Sequence, residues 1–274
     1  MEPSKKKSGL RRRPILIIVL FLFAVAIWTS LSDTRLRVIQ TTKERLEQLA
    51  NRALPIEKVG TKAARRLRLR LDETGLSLGS AAFIRIFKQE AELEVWLKAD
   101  NQFQLLHTYP ICKHSGFLGP KLKEGDKQAP EGFYSVTKKQ LNPGSRHYRA
   151  FNIGFPNEYD RAHGRTGSAL MVHGGCTSIG CYAMTDEGVA EIYETVESAL
   201  DNGQQRVPVH IFPFRMTAAN MSTAPKGRWT PFWQNIKVGY DQFETSQLPP
   251  PVSVCDKRYA FDNEVSGCQA IAGW

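Results

Sequence analysis

From Ala82 onward the apolar side chains of this 274-residue chain recur with a period of two, which fits strands and not amphipathic helices. Phe83-Ile84-Arg85-Ile86-Phe87 and Leu93-Glu94-Val95-Trp96-Leu97 read as two strands, Asp100-Asn101 as a turn, and Phe103 to Thr108 as a third strand. Short polar breaks between the three predict an antiparallel meander. Gly132 to Thr137, Ala169 to Val172 and Val207 to Phe212 add further strands. One clear helix begins near Thr185, an N-cap type, with Asp186 and Glu187 in its first turn. Its residues Val189, Ile192, Tyr193, Val196 and Leu200 share a face. The expected class is mostly β (α+β), with that helix packed on the sheets.

Charge is unevenly placed. Residues 1–70 hold 17 Lys and Arg against 5 Asp and Glu, whereas residues 71–274 hold 20 against 22. The net charge of +10 therefore says little about the globular part, and no basic patch with interleaved aromatics argues for nucleic acid. Lys5, Lys6, Lys7, Arg11, Arg12 and Arg13 precede an apolar run from Ile15 to Trp28. That order reads as a signal peptide or an uncleaved signal anchor over residues 1–31, the basic side staying in the cytoplasm. Export would place the rest in the periplasm, held at the inner membrane.

Residues 32–81 read as a basic juxtamembrane linker or two short helices, because the leucines keep no single helical period across Pro55 and Gly60. Residues 82–215 form the expected catalytic domain. Residues 216–274 form a helical and extended extension, with a helix to about Phe243 before Pro249-Pro250-Pro251. Trp229 and Trp233 on it suit core or lid packing better than stacking on sugars.

Five cysteines in an oxidising compartment leave one unpaired by arithmetic. Cys255 and Cys268 are close enough in sequence for a small disulfide. Cys112 and Cys176 either pair or stay as buried thiols.

Between His173 and Cys181 the chain reads His-Gly-Gly-Cys-Thr-Ser-Ile-Gly-Cys, directly after an apolar strand. A thiol acts as a nucleophile at neutral pH when a base takes its proton, and an imidazole can do so. Gly174, Gly175 and Gly180 would weaken a plain strand or helix but suit a turn whose N–H groups approach a ligand. Two other readings compete: buried core Cys and His, and a metal site from His173, Cys176 and Cys181. The second lacks a fourth ligand and the usual tight cysteine spacing.

The same stretch, His173-Gly174 followed by Ser178-Ile179-Gly180-Cys181, resembles the signature of YkuD-type L,D-transpeptidases. The short gap and the Cys-Tyr-Ala-Met-Thr-Asp continuation are similar to the YafK-like subgroup. Pro110 to Lys113, Gly116 to Tyr134, Asn152 to Gly167 and Phe212 to Met216 extend the resemblance over about residues 82–260. It implies a YkuD-like β-sandwich, with Cys181 as nucleophile and His173 as proton acceptor and donor. Gly174 or Ser178 would orient the imidazole. Backbone N–H groups around Gly180 would bind an oxyanion, and the helix near Thr185 would favour thiolate. His163, Arg165, Arg146 and Tyr182 are candidates for substrate binding.

The implied substrate is a peptidoglycan stem tetrapeptide, attacked after its third residue with release of D-Ala and then transferred to an amine, without metal or cofactor. Hydrolysis of the same thioester, trimming stems or releasing a wall-linked lipoprotein, is the alternative. A non-catalytic cell-wall-binding protein is the second. One departure stands out: many members of the family carry a histidine before the Gly-Cys pair, where this chain has Ile179.

Overall fold

A computed structural model describes residue 39 and residues 56–261 and 268–271. The expected anchor of residues 1–31 and most of the first half of the expected linker lie outside the described residues.

Three strands form the expected meander: β1 (Ala82–Phe87), β2 (Glu92–Ala99) and β3 (Gln102–Pro110), each antiparallel to the next. Two later strands join them, β5 (Gly132–Val136) and β10 (Val207–Phe212), giving the order β3-β2-β1-β10-β5. β10 runs parallel to β1, with Ile84 opposite Val209. A second five-stranded sheet has the order β4-β9-β8-β7-β6. Its strands are β4 (Lys113–His114), β6 (Leu141–Asn142), β7 (Ala150–Asn152), β8 (Met171–His173) and β9 (Tyr182–Ala183).

The first sheet is covered on both faces. Ala82, Ile84 and Ile86 of β1, with Val207, Val209 and Ile211 of β10, share one apolar cluster with Phe151, Val172 and Tyr182 of the second sheet. Helix α3 (Asp186–Asp201) adds Val189, Ile192, Tyr193 and Val196 to the same cluster. The alternate residues Phe87 and Phe212, with Phe133 of β5, enter a second cluster. There they meet α5 (Thr230–Ser246) and a three-stranded sheet of β11 (Val252–Cys255), β12 (Arg258–Ala260) and β13 (Gln269–Ile271). Arg85 points to this side as well and lies 4.7 Å from the ring centres of both Tyr240 and Phe243. Residues beyond 216 thus cover a face of the sheet, and each large side chain buried there contributes about 1.5–3 kcal/mol. Two short helices, α2 (Glu158–Ala162) and α4 (Ala218–Thr223), and a 3-10 turn at Lys138–Gln140 lie between these elements.

Helix and strand content are comparable, so the class is a mixed α+β fold with several helices, where a mostly β (α+β) domain was expected. The segment expected as a linker or two short helices supplies much of the difference. Helix α1 (Ile56–Thr74) begins directly after Pro55 and continues through Gly60. A mid-helix glycine costs about 1 kcal/mol. Tertiary contacts offset it: Ala63 and Leu67 are buried, and Arg66 and Arg70 each donate at 2.8 Å to the buried carboxylate of Glu191 on α3. The docked face does follow a helical period, Val59, Ala63, Leu67 and Leu71, which the leucines alone did not show.

Candidate active site

Register brings the histidine and the thiol to one place. β8 pairs in parallel with β9, Val172 opposite Tyr182 and His173 opposite Ala183. Val172 and Tyr182 both face the shared core. Side chains alternate along a strand, so His173 and Cys181, which immediately precedes β9, project to the other side. Cys181 lies two residues before Ala183, the partner of His173, which by strand geometry sets the two Cα atoms about 8 Å apart.

The thiol is fixed by main chain. Cys181 Sγ accepts from the Met171 N–H at 3.4 Å and donates to the Ala169 carbonyl at 3.8 Å. It is the one free cysteine among the described residues. Burial pushes its pKa up, opposed by the Met171 N–H and the charge of Lys121. The expected help from a helix N-terminus is not found at this sulfur. β9 and the extended Thr185 separate it from the first turn of α3 by a distance on the order of 10 Å, and a helix dipole acts mainly within its own end turn.

That helix end serves the histidine's loop instead. Asp186 Oδ1 accepts the N–H of Gly175 at 2.8 Å. A Cβ on Gly174 would lie 2.4 Å from the same oxygen and 2.8 Å from the carbonyl of His147, so only glycine fits. Gly174 O lies 2.6 Å from His173 Nδ1. A carbonyl can only accept, so Nδ1 carries the proton and Nε2 is left with the lone pair. Of the two orienting groups considered, Gly174 is therefore the one in contact. Burial lowers the His173 pKa, with the Gly174 carbonyl opposing and His147 reinforcing the shift. Raised thiol and lowered imidazole favour a neutral pair at pH 7, suited to proton transfer during attack.

Ser178 does a different job from the expected one. Its hydroxyl donates to the Cys181 carbonyl at 2.6 Å, and Ser115 Oγ donates to the Ser178 carbonyl at 3.0 Å. Gly180 takes φ +104°, which brings the chain round to Cys181. Cys176 is disulfide-bonded to Cys112, directly before β4, and Cys255 to Cys268. The first of these ties the loop down and removes Cys176 from any metal site built with His173 and Cys181. No group of three or more His, Cys, Asp or Glu suited to a metal occurs among the described residues.

The substrate-binding candidates fare unevenly. Arg165 is buried, bonded to Asp160 at 2.8 Å with its guanidinium 5.0 Å from the Tyr159 ring centre. Its charge is engaged by that carboxylate, and turning it to a ligand would leave Asp160 unpaired. Tyr182 is fully buried, and its hydroxyl donates to the Pro130 carbonyl at 2.7 Å. It is a core residue, because its register opposite Val172 turns it inward. His163 Nε2 lies 2.8 Å from the Lys257 carbonyl. Arg146 is exposed.

Sequence reading missed three contributors. His147 stacks on His173 with ring centres 4.7 Å apart. Lys121, nearly buried and bonded to Asp126 at 2.6 Å, belongs to a loop that flanks the thiol. That loop is closed by the bond from Ala129 N–H to the Ser115 carbonyl. Its root is held by Lys88, whose buried ammonium reaches the Phe117, Gly119 and Ala129 carbonyls and Glu131 Oε1. Apart from the Lys121 pair and the bond between Ala129 and Ser115, each of these contacts crosses tens of residues, and only the Lys121 pair's short spacing could have been noticed.

Comparison with known proteins agrees with the motif. The family model described as YkuD, L,D-transpeptidase catalytic domain, matches residues 84–211. The Escherichia coli (strain K12) protein named "Putative L,D-transpeptidase YafK" is 53% identical over 189 residues, covering 69% of this chain and 77% of that protein. Among solved structures, the helical cell shape determining protein Pgp2 from Campylobacter jejuni shares 19% identity, with a TM-score of 0.40 and coverage of 66% of each chain. Bd1075 from Bdellovibrio bacteriovorus shares 22% identity over 49% of each chain, with a TM-score of 0.35.

Proposed function

Since the chain belongs to the YkuD family of L,D-transpeptidases, we propose that it is a cysteine acyltransferase acting on peptidoglycan stem peptides. The observation that supports this reading is the register that sets His173 opposite Ala183, two residues after Cys181, with Nδ1 of His173 committed to the Gly174 carbonyl. His173 Nε2 takes the proton of the Cys181 thiol as sulfur attacks the carbonyl of the third stem residue. Backbone N–H groups around Gly180 and Cys181 receive the oxyanion. The bond to the terminal D-Ala breaks, its nitrogen takes the proton from His173, and a thioester remains on Cys181. An amine acceptor then attacks the thioester carbonyl and His173 takes the amine's proton; the C–S bond breaks, and His173 returns that proton to the leaving sulfur.

In this reading residues 1–31 direct export and hold the protein at the inner membrane, with the catalytic domain in the periplasm. Its fold is the β-sandwich of the family. Where water and not an amine resolves the thioester, the same residues trim stems or detach a wall-linked lipoprotein.

The test is intact-mass spectrometry of the full chain mixed with tetrapeptide muropeptides. An adduct on Cys181 with release of D-Ala, absent in Cys181→Ala and His173→Ala, is expected. Cross-linked products mark a transferase and trimmed products a hydrolase. No adduct with either tetrapeptides or protein-bearing wall, in a folded protein, overturns the catalytic reading in favour of a wall-binding role.

A further inference from the structure

His147 meets His173 twice. Its ring lies against the imidazole, centres 4.7 Å apart and planes tilted by 37°. Its carbonyl accepts the N–H of Gly174 at 3.0 Å, and the carbonyl of Gly174 in turn holds His173 Nδ1. One residue therefore fixes both the ring plane and the peptide that selects the tautomer. The segment that presents it is an exposed turn shaped by local contacts. His147 N–H donates to Ser145 Oγ at 3.1 Å, and Tyr148 takes φ +67°, a left-handed conformation that a non-glycine residue adopts under constraint. A Cβ on Gly175 would come 3.3 Å from His147 Nδ1, so the glycine leaves room for the ring.

We propose that His147 is a positioning residue for the His173 base, holding its ring from one face and anchoring the Gly174 peptide that orients it. The proposal rests on the catalytic reading above.

The ring and the carbonyl can be separated, because the carbonyl survives any substitution. The ring has two properties, its flat face and its capacity for charge. Charge on His147 opposes protonation of His173, which is the direction in which His147 already acts on that imidazole. The other charged or titratable groups about the pair are few. Arg146, Tyr148 and Arg149 flank His147 in sequence, and Arg149 lies 3.6 Å from Glu194. Asp186 and Glu187 stand at the start of α3, where Asp186 is occupied by Gly175 N–H. Cys181 and Lys121 lie on the thiol side. Among the described residues it is His147 whose ring lies against that of His173.

The experiment compares His147→Phe and His147→Ala in the full chain by two readouts. The first is the pH profile of thioester formation with tetrapeptide muropeptide. His147→Phe keeps the flat face, so its plateau rate should stay within about threefold of the parent, while the acid limb moves up by about half a pH unit. His147→Ala should show the same shift and a plateau about tenfold lower, as expected for a loosened base. The second readout is the titration of His173 by histidine-ring NMR, assigned by loss of its signal in His173→Gln. It needs no turnover, so it separates this proposal from the catalytic reading. An upward shift of His173 in both variants supports the positioning role even where no thioester forms. Unchanged profiles and an unchanged His173 titration in both variants overturn it, as does an equal loss of rate in both without any shift.

Discussion

Ser178 Oγ donates to the carbonyl oxygen of Cys181 at 2.6 Å, closing a four-residue loop on the very residue whose sulfur is offered for attack. Ser115 Oγ donates to the Ser178 carbonyl at 3.0 Å, so the same turn is tied to the flanking loop. Replacing Ser178 by alanine removes the first of these bonds and leaves the Cys181 carbonyl without this donor. One such bond is worth about 1 kcal/mol, so the urea midpoint should fall slightly. Thioester formation should slow by about tenfold, since small displacements of a reacting atom are costly. Stopped-flow acylation beside urea unfolding checks this; a parental rate in Ser178→Ala removes Ser178 from the positioning of Cys181.

The thiol's titration has a defined sign. Burial raises the Cys181 pKa above its ordinary 9.0, and the Lys121 charge acts against that rise. Alkylation of the resting enzyme by iodoacetamide should therefore keep accelerating past pH 9, with no plateau near neutrality. Lys121→Met should move the midpoint higher and slow alkylation at pH 8. A plateau already reached at pH 7 would show a preformed thiolate and contradict this arrangement.

The bond between Cys112 and Cys176 closes a separation of 64 residues and tethers the loop that begins at Gly174. Constraining a loop of that length in the unfolded chain is worth about 4 kcal/mol in the entropy model. A Cys112→Ala/Cys176→Ala double variant should lose stability of that order in urea and acylate more slowly, although Cys181 stays in place. Equal urea midpoints for the parent and the double variant would mean that the tether contributes nothing.

His210 is the most deeply buried histidine among the described residues, its ring centre 4.6 Å from Phe83 and 4.7 Å from Phe133, with Nδ1 unpartnered. Burial, with Arg85 adding to it, holds its pKa well below the ordinary 6.5. The unfolded chain takes up a proton near 6.5 that the folded chain refuses. Stability is therefore full above that pH and falls as the pH drops below it, at up to about 1.4 kcal/mol per pH unit for this one group. His107, His114 and His173 shift the same way and add to the slope. His210→Phe should flatten part of the decline between pH 6.5 and 5 in urea titrations. An identical slope in the variant would reject His210 as a source of the acid sensitivity.

Much of the site was legible because it is local. The His173 to Cys181 stretch carries its glycines, its thiol and its imidazole within nine residues, and Gly174 acts on His173 across one peptide bond. The meander of β1 to β3 was legible for the same reason, since short turns join strands that pair with their neighbours. Ser178 was found as a member of the motif, but its partner was not, because the choice between an imidazole and the Cys181 carbonyl depends on how the loop closes. Arg165 and Tyr182 looked available for a substrate and are instead engaged by Asp160 and by Pro130.

The amino-acid sequence by itself determined the alternation that makes β1, β5 and β10 strands, the cap and apolar face of α3, and the glycine-framed Cys-His motif. These follow from backbone sterics and from side-chain spacing within a dozen residues. Tertiary structure alone decided that β10 runs parallel to β1, that α1 docks through Arg66 and Arg70 on Glu191, and that His147 lies on His173. Each of those choices depends on burial and charge pairing between segments far apart in the chain. Pairing energy of that kind leaves no period and no motif in either partner until the fold brings them together.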